Sequence, residues 1–124
     1  MNLDEWHIRL FGQDAEDPEH DARHQLIEEQ LWTIARRALE LGTNVILDYG
    51  LWVREEREEY RLRAKQLGVS SEIHYLDVPE DELLRRLEIR NAEASQDSFI
   101  IPAEMMTPWF AVFQKPTVDE LERR

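Results

Sequence analysis

Two short apolar runs constrain the fold of this chain more than any other feature. Residues 44–49 read Asn-Val-Ile-Leu-Asp-Tyr and residues 72–77 read Glu-Ile-His-Tyr-Leu-Asp. Each is rich in β-branched and aliphatic residues, each carries an aspartate at or near its end, and each lies between longer stretches of helical periodicity. Upstream, Leu26, Ile27, Leu31, Ile34, Ala35, Ala38 and Leu39 recur at three- and four-residue spacing. They predict a long helix that Asp17 can cap, with Pro18 at its first position and Gly42 as its stop. A second helix is predicted over 53–67, with Tyr60, Ala64 and Leu67 inward and Gly68 closing it. Val78-Pro79 opens a third, with Leu83, Leu84 and Leu87 inward and Arg85, Arg86 and Arg90 outward. Residues 92–100 read as loop. A last helical stretch from Pro102 should kink or restart at Pro108, which lacks the helix N–H. From Lys115 the chain reads as a polar tail.

Helix, strand, helix, strand, helix is the rhythm of a parallel sheet covered by helices, so the expected class is α/β with a partial parallel sheet. Two strands are few for such a sheet. Met1–Leu3 reads as the end of a third, which gives an architecture truncated at its N-terminus. At 124 residues the chain is expected to form one domain, residues 1–124.

Charge narrows the partners. The net charge of −12 opposes a polyanion, so no nucleic acid is expected; a nucleotide or small-molecule substrate remains compatible, because it sees only the local field. The cations are unevenly spread: Arg54, Arg57, Arg61, Arg63, Lys65, Arg85, Arg86 and Arg90 all fall in the middle third. Arginine suits bidentate phosphate contacts, although helix faces paired with neighbouring glutamates explain most of these residues equally well. There is no cysteine, which excludes disulfides and thiol chemistry. No apolar run approaches the ~20 residues that span a bilayer, and no signal-peptide pattern opens the chain. A cytoplasmic protein without membrane contact is the expectation.

The segments LDEWHIRLFG, NVILDYGLWVREEREEYRLRAKQLG, HYLDVPEDELLRRLEIRN and the closing WFAVFQKP keep the order seen in one group of proteins. The chain resembles the P-loop kinase-like ATP-binding proteins, small relatives of zeta-toxin-like and chloramphenicol-phosphotransferase-like kinases, over nearly its whole length. Members of that group begin with a strand, a G-x-x-x-x-G-K-[ST] loop and a helix, the loop's backbone N–H groups cradling the phosphates. Here the glycines stand alone at 12, 42, 50 and 68, and neither Lys65 nor Lys115 follows one. The resemblance therefore implies a P-loop kinase-like domain without its first strand, phosphate loop and first helix.

It also implies roles. Asp4 matches the aspartate that can act as general base on a substrate hydroxyl. Asp48 matches the acid that supports magnesium. Arg85, Arg86 and Arg90 match the lid helix that closes over the phosphates. Arg54 and Arg57 line the substrate cleft, and Phe113 and Pro116 approach the adenine, although Pro108 departs from the helical run usual there. ATP and magnesium are the cofactors implied, and phosphoryl transfer to a hydroxyl is the implied reaction. Because the loop supplies most of the positioning and charge stabilisation, the chain alone is expected to be an inactive, fragmentary kinase that binds nucleotide weakly.

Each role has a structural competitor. Asp4 can cap the helix that starts beside it, Asp48 can bond backbone amides, and Arg85 and Arg86 can pair with Glu82. His20 and His24, one turn apart, could ligate zinc, but the sequence offers no third ligand beside them and they read as surface residues. His74 reads as a half-buried strand residue, and the four tryptophans as core and cleft aromatics. In the group it resembles, the first strand lies between the two strands found here. Its loss would leave an open sheet edge, so a possible homodimer, or a non-catalytic self-associating protein, is the alternative to the kinase reading.

Overall fold

The computed structural model describes residues 1–93 and 99–124. Five α-helices dominate: α1 Leu3–Phe11, α2 His20–Glu40, α3 Arg54–Gln66, α4 Glu80–Glu93 and α5 Met106–Val112. Short 3-10 turns at Ala103–Met105 and Val118–Leu121 complete the elements.

The helices begin and end where local chemistry requires. Asn2 caps α1 by accepting a hydrogen bond from the Glu5 backbone N–H at 3.1 Å, which leaves Asp4 in the first turn rather than at the cap. Before α2, Asp17 accepts from the backbone N–H of Glu19 at 2.8 Å, so its cap serves the turn around Pro18 and the helix itself starts two residues later. Gly42 (φ 83°) and Gly68 (φ 71°) end α2 and α3 in the left-handed conformation, as their positions suggest. Pro108 sits in the first turn of α5, where a missing N–H costs nothing, so the helix restarts just ahead of it.

The core is thin. Leu3 of α1 packs with Ile27 and Leu31 of α2, and Met1 and Tyr49 lie against them. Ala35, Ala64, Leu87 and Phe99 are also buried. The apolar stripe of α2 is narrower than its spacing suggests, since Leu26 and Ile34 are exposed. Leu84 of α4 is likewise exposed while Leu87 is buried. The loop expected at 92–100 is helical through Glu93, and residues 94–98 fall outside the described residues.

The expected partial parallel sheet is not formed. Among the described residues the only β-type pairing is one parallel bridge between Asn2 and Asp48. The Asp48 N–H donates to the Met1 carbonyl at 2.9 Å, and the Met1 amino group donates to the Ile46 carbonyl at 2.6 Å. The two apolar runs are extended, and their exposure alternates with period two: Val45, Leu47 and Tyr49 turn inward, as do Ile73 and Tyr75. No backbone hydrogen bond joins one run to the other among the described residues. Local sequence dictates an extended conformation, but a sheet also needs a neighbour within about 4.8 Å, and a gap lies where that neighbour would run.

The tail is not a solvated appendage. The Ser71 and Arg124 backbones exchange hydrogen bonds at 2.6 and 2.8 Å, and Glu120 is fully buried.

Candidate functional site

The gap between the extended runs is a cleft of about 1470 Å³. Residues 42–52 form one wall, residues 69–76 the other, and α5 with residues 113–116 closes one side. Several aromatics furnish it. Trp52 and Trp109 meet edge to face at 5.2 Å, and Tyr75 stacks on Phe113 at 6.0 Å. The Lys115 ammonium reaches the Asp77 carboxylate at 2.9 Å, which holds Asp77 below and Lys115 above their ordinary pKa. Tyr49 presents a buried hydroxyl with no hydrogen-bond partner among the described residues, its pKa pushed up to about 12 by burial and by the charge of Glu28.

The turn at the cleft's mouth is tightly built. A Cβ on Gly50 would lie 2.4 Å from Trp52 Nε1, so any side chain there must displace the indole. Leu51 adopts φ 43°, a left-handed conformation that is uncommon for a bulky residue. Arg57 secures both neighbours, donating from Nη1 to the carbonyl of Leu51 at 3.0 Å and to that of Trp52 at 3.3 Å.

The behaviour of Arg57 was hidden in the sequence. Its Nε lies 2.8 Å from Glu120 Oε1, with both side chains almost completely buried (2% and 1% exposed). The guanidinium holds the Glu120 carboxyl down to about 2. Arg61, one turn on, is also buried and donates to the carbonyls of Ser71, Glu120 and Glu122. Burial lowers its pKa. Two arginines thus tie α3 to the C-terminal segment and to the second cleft wall.

Of the residues singled out in the sequence, Asp48, Arg57, Phe113 and Pro116 line the cleft; Asp4, Arg54, Arg85, Arg86 and Arg90 do not. Asp48 is exposed and accepts from Asn2 Nδ2 at 3.2 Å. Magnesium typically takes one or two carboxylates and completes its shell with phosphates and water, so Asp48 fits such an ion as a single ligand. Arg54, at the start of α3, pairs with Asp119 at 2.7 Å. Arg85 and Arg86 both grip Glu82 at 2.7 Å on the exposed face of α4, and Arg90 is exposed on the same helix. His74 is not half-buried: it is exposed, 2.9 Å from Glu72. Nor are His20 and His24 plain surface residues. Both are half-buried and stack their rings at 5.4 Å, and His7 of α1 lies beside them.

Residues 1–116 match the family described as AAA domain. The chain belongs to this P-loop NTPase-like family. No curated protein and no solved structure matches it. Membership in the AAA-domain family gives the cleft a nucleotide-handling ancestry. P-loop proteins hold phosphates with a G-x-x-x-x-G-K-[ST] loop, and these 124 residues contain no such sequence. What this AAA domain does contain is the acid after an apolar run and an aromatic-lined gap beside it. No helix among the described residues is long and apolar enough to cross a membrane.

Proposed function

We propose that this AAA domain is the substrate-and-lid portion of an ATP-dependent phosphotransferase of the zeta-toxin-like or chloramphenicol-phosphotransferase-like kind, acting on a hydroxyl, and inactive unless a phosphate loop joins it. The cleft carries this reading. It separates two extended runs that keep strand alternation, with Asp48 at its rim. Its volume of about 1470 Å³ exceeds the ~300–1,000 Å³ of ordinary small-ligand pockets, so it suits a polypeptide strand better than a nucleotide alone. Ile46 and Leu76, on the outward faces of the two runs, are 81% and 85% exposed. Parallel strands are normally covered on both faces, and these side chains mark the surface that a helix following the phosphate loop would cover.

Within the assembled site Asp48 would hold magnesium together with the nucleotide phosphates, and Phe113 would face the base. Arg85, Arg86 and Arg90 would need α4 to swing over the phosphates, and Asp4 would need to be brought to the acceptor hydroxyl. Bound magnesium supplies charge neutralisation on the phosphates. Of this chain's residues, Asp48 would orient the ion from the cleft's rim.

Calorimetric titration with ATP, with and without magnesium, tests the assignment of Asp48. Weak, saturable, magnesium-dependent heat that disappears in Asp48→Ala is expected; equal binding in the variant removes the residue from the site. The exposed Ile46 and Leu76 also support a second reading, self-association without catalysis. Light scattering across concentration separates the two, since a monomer at every concentration removes the motive for self-association.

A further inference from the structure

The three histidines between α1 and α2 lie outside the cleft, and the proposed phosphoryl transfer assigns them no role. We propose that His7, His20 and His24 form a binding site for a divalent transition metal of the zinc class, joining α1 to α2. One ring nitrogen from each histidine lies within 4.8 Å of the other two. His7 is 2% exposed, and His20 and His24 are half-buried. A tetrahedral zinc site with Zn–N bonds of about 2.05 Å separates its ligand atoms by roughly 3.3 Å. The present spacing brackets that value, with His7 Nδ1 and His24 Nδ1 at 2.8 Å, so modest ring rotation brings all three onto one ion.

The hydrogen bonding favours an ion over a purely internal network. Two neutral imidazoles can share a single proton between facing nitrogens, as His7 and His24 do. A third has no such pairing, and His20 Nδ1 is buried with no hydrogen-bond partner among the described residues. Such an orphan carries a desolvation penalty that a ligand bond would remove. His24 turns its other nitrogen, Nε2, toward Asp4 Oδ1 at 3.8 Å. A carboxylate hydrogen-bonded behind a ligating imidazole fixes its tautomer and raises its basicity; the 3.8 Å separation is beyond hydrogen-bond reach, and the ring rotation that gathers the ligands would also have to close it.

Aromatic rings wall part of the cluster. Phe99 is buried and meets the rings of His7 and His20 edge-on at 5.2 and 5.1 Å. The N-terminal end of α2 and Arg23 bring positive potential, which opposes a cation. Arg23 is however paired with Asp17 at 3.3 Å and Glu19 at 2.7 Å, and Asp4 faces the cluster directly. Three protein ligands leave a fourth position for water, the pattern of open zinc sites.

The test uses the untagged full chain, stripped with a chelator and titrated with Co²⁺ and then Zn²⁺. One Co²⁺ per chain with intense visible bands, bleached by one equivalent of Zn²⁺, is expected. Zinc at a hundredfold excess over its dissociation constant should raise Tm by roughly 10 °C. His20→Gln, at a half-buried position, should weaken binding by at least about a hundredfold, and Asp4→Asn by about tenfold. His7→Ala removes a buried ring, so its result counts only if circular dichroism shows retained helix. His74→Ala should change nothing. The proposal is overturned by pale, octahedral cobalt spectra, by no binding at 1:1 stoichiometry, or by affinity that survives His20→Gln and His24→Gln. No nucleotide enters the experiment, so its outcome is independent of the kinase reading.

Discussion

The two halves of this molecule are held together by different means. Between α1 and α2 the contact is mainly apolar, with Leu3, Ile27 and Leu31 closing around one another and the histidine cluster at the far end. From α3 onward few hydrophobics are buried among the described residues, and the extended segments are fastened by buried arginines. Apolar packing gives cohesion without direction. Arg57 and Arg61 instead name their partners: two turn carbonyls, one carboxylate, and the carbonyls of Ser71, Glu120 and Glu122. A region that lacks a sheet to order its backbone is ordered by guanidinium groups, at the cost of desolvating them.

This contrast can be broken most severely at Arg57. Arg57→Ala leaves Glu120 buried without its counter-charge and frees the Leu51 turn, so chemical denaturation should report a loss of about 4 kcal/mol. Arg57→Met with Glu120→Leu should recover much of that loss, because no charge is then left stranded. The same pair sets an acid limit. The Glu120 pKa is depressed from 4.5 to about 2. Its contribution is therefore complete above about pH 4.5 and is lost as pH falls toward 2, which a urea midpoint measured against pH will show. Glu120→Gln should flatten that part of the profile.

A smaller effect is expected in the apolar half. Leu31→Ala removes a buried side chain from the α1–α2 core and should cost roughly 3 kcal/mol, with hydrogen exchange rising first in α1. If exchange rises equally around Ser71, the halves unfold as one unit and the contrast is only descriptive. Smallest of all, Arg85→Ala should leave Tm unchanged within error, since Arg85 is largely solvated and Arg86 still pairs with Glu82.

Much of the helical order was legible in the sequence. Periodic apolar residues and the stops at Gly42 and Gly68 place α2 and α3 to within a few residues, because both signals act over one or two turns. The sheet was not legible. Residues 44–49 and 72–77 do alternate as strands do, but pairing depends on a neighbour that no local pattern specifies. Burial of Arg57 and Arg61 was missed because arginine reads as solvent-facing. Their spacing with Ala64, four and then three residues apart, places all three on one helix face and was the available signal. Glu120 lies within a tail that reads as polar, and its one signal was the Thr117-x-x-Glu120 capping-box spacing, which marks a helical turn but not burial. For the histidines, the i, i+4 pair at 20 and 24 was visible, and only the packing of α1 on α2 brings His7 alongside.

The Arg57–Glu120 contact spans 63 residues of chain. A ribosome adding about 5–20 residues per second makes Arg57 roughly 3–13 s before it makes the carboxylate that neutralises it. For that interval every residue of the α1–α2 contact exists, whereas the arginines of α3 have only the carbonyls of Leu51, Trp52 and Ser71 and lack their partners at Glu120 and Glu122. Assembly of this domain therefore has an order imposed by synthesis. Its first half can settle while the chain grows, and its second half waits for the segment that carries Glu120 and Glu122.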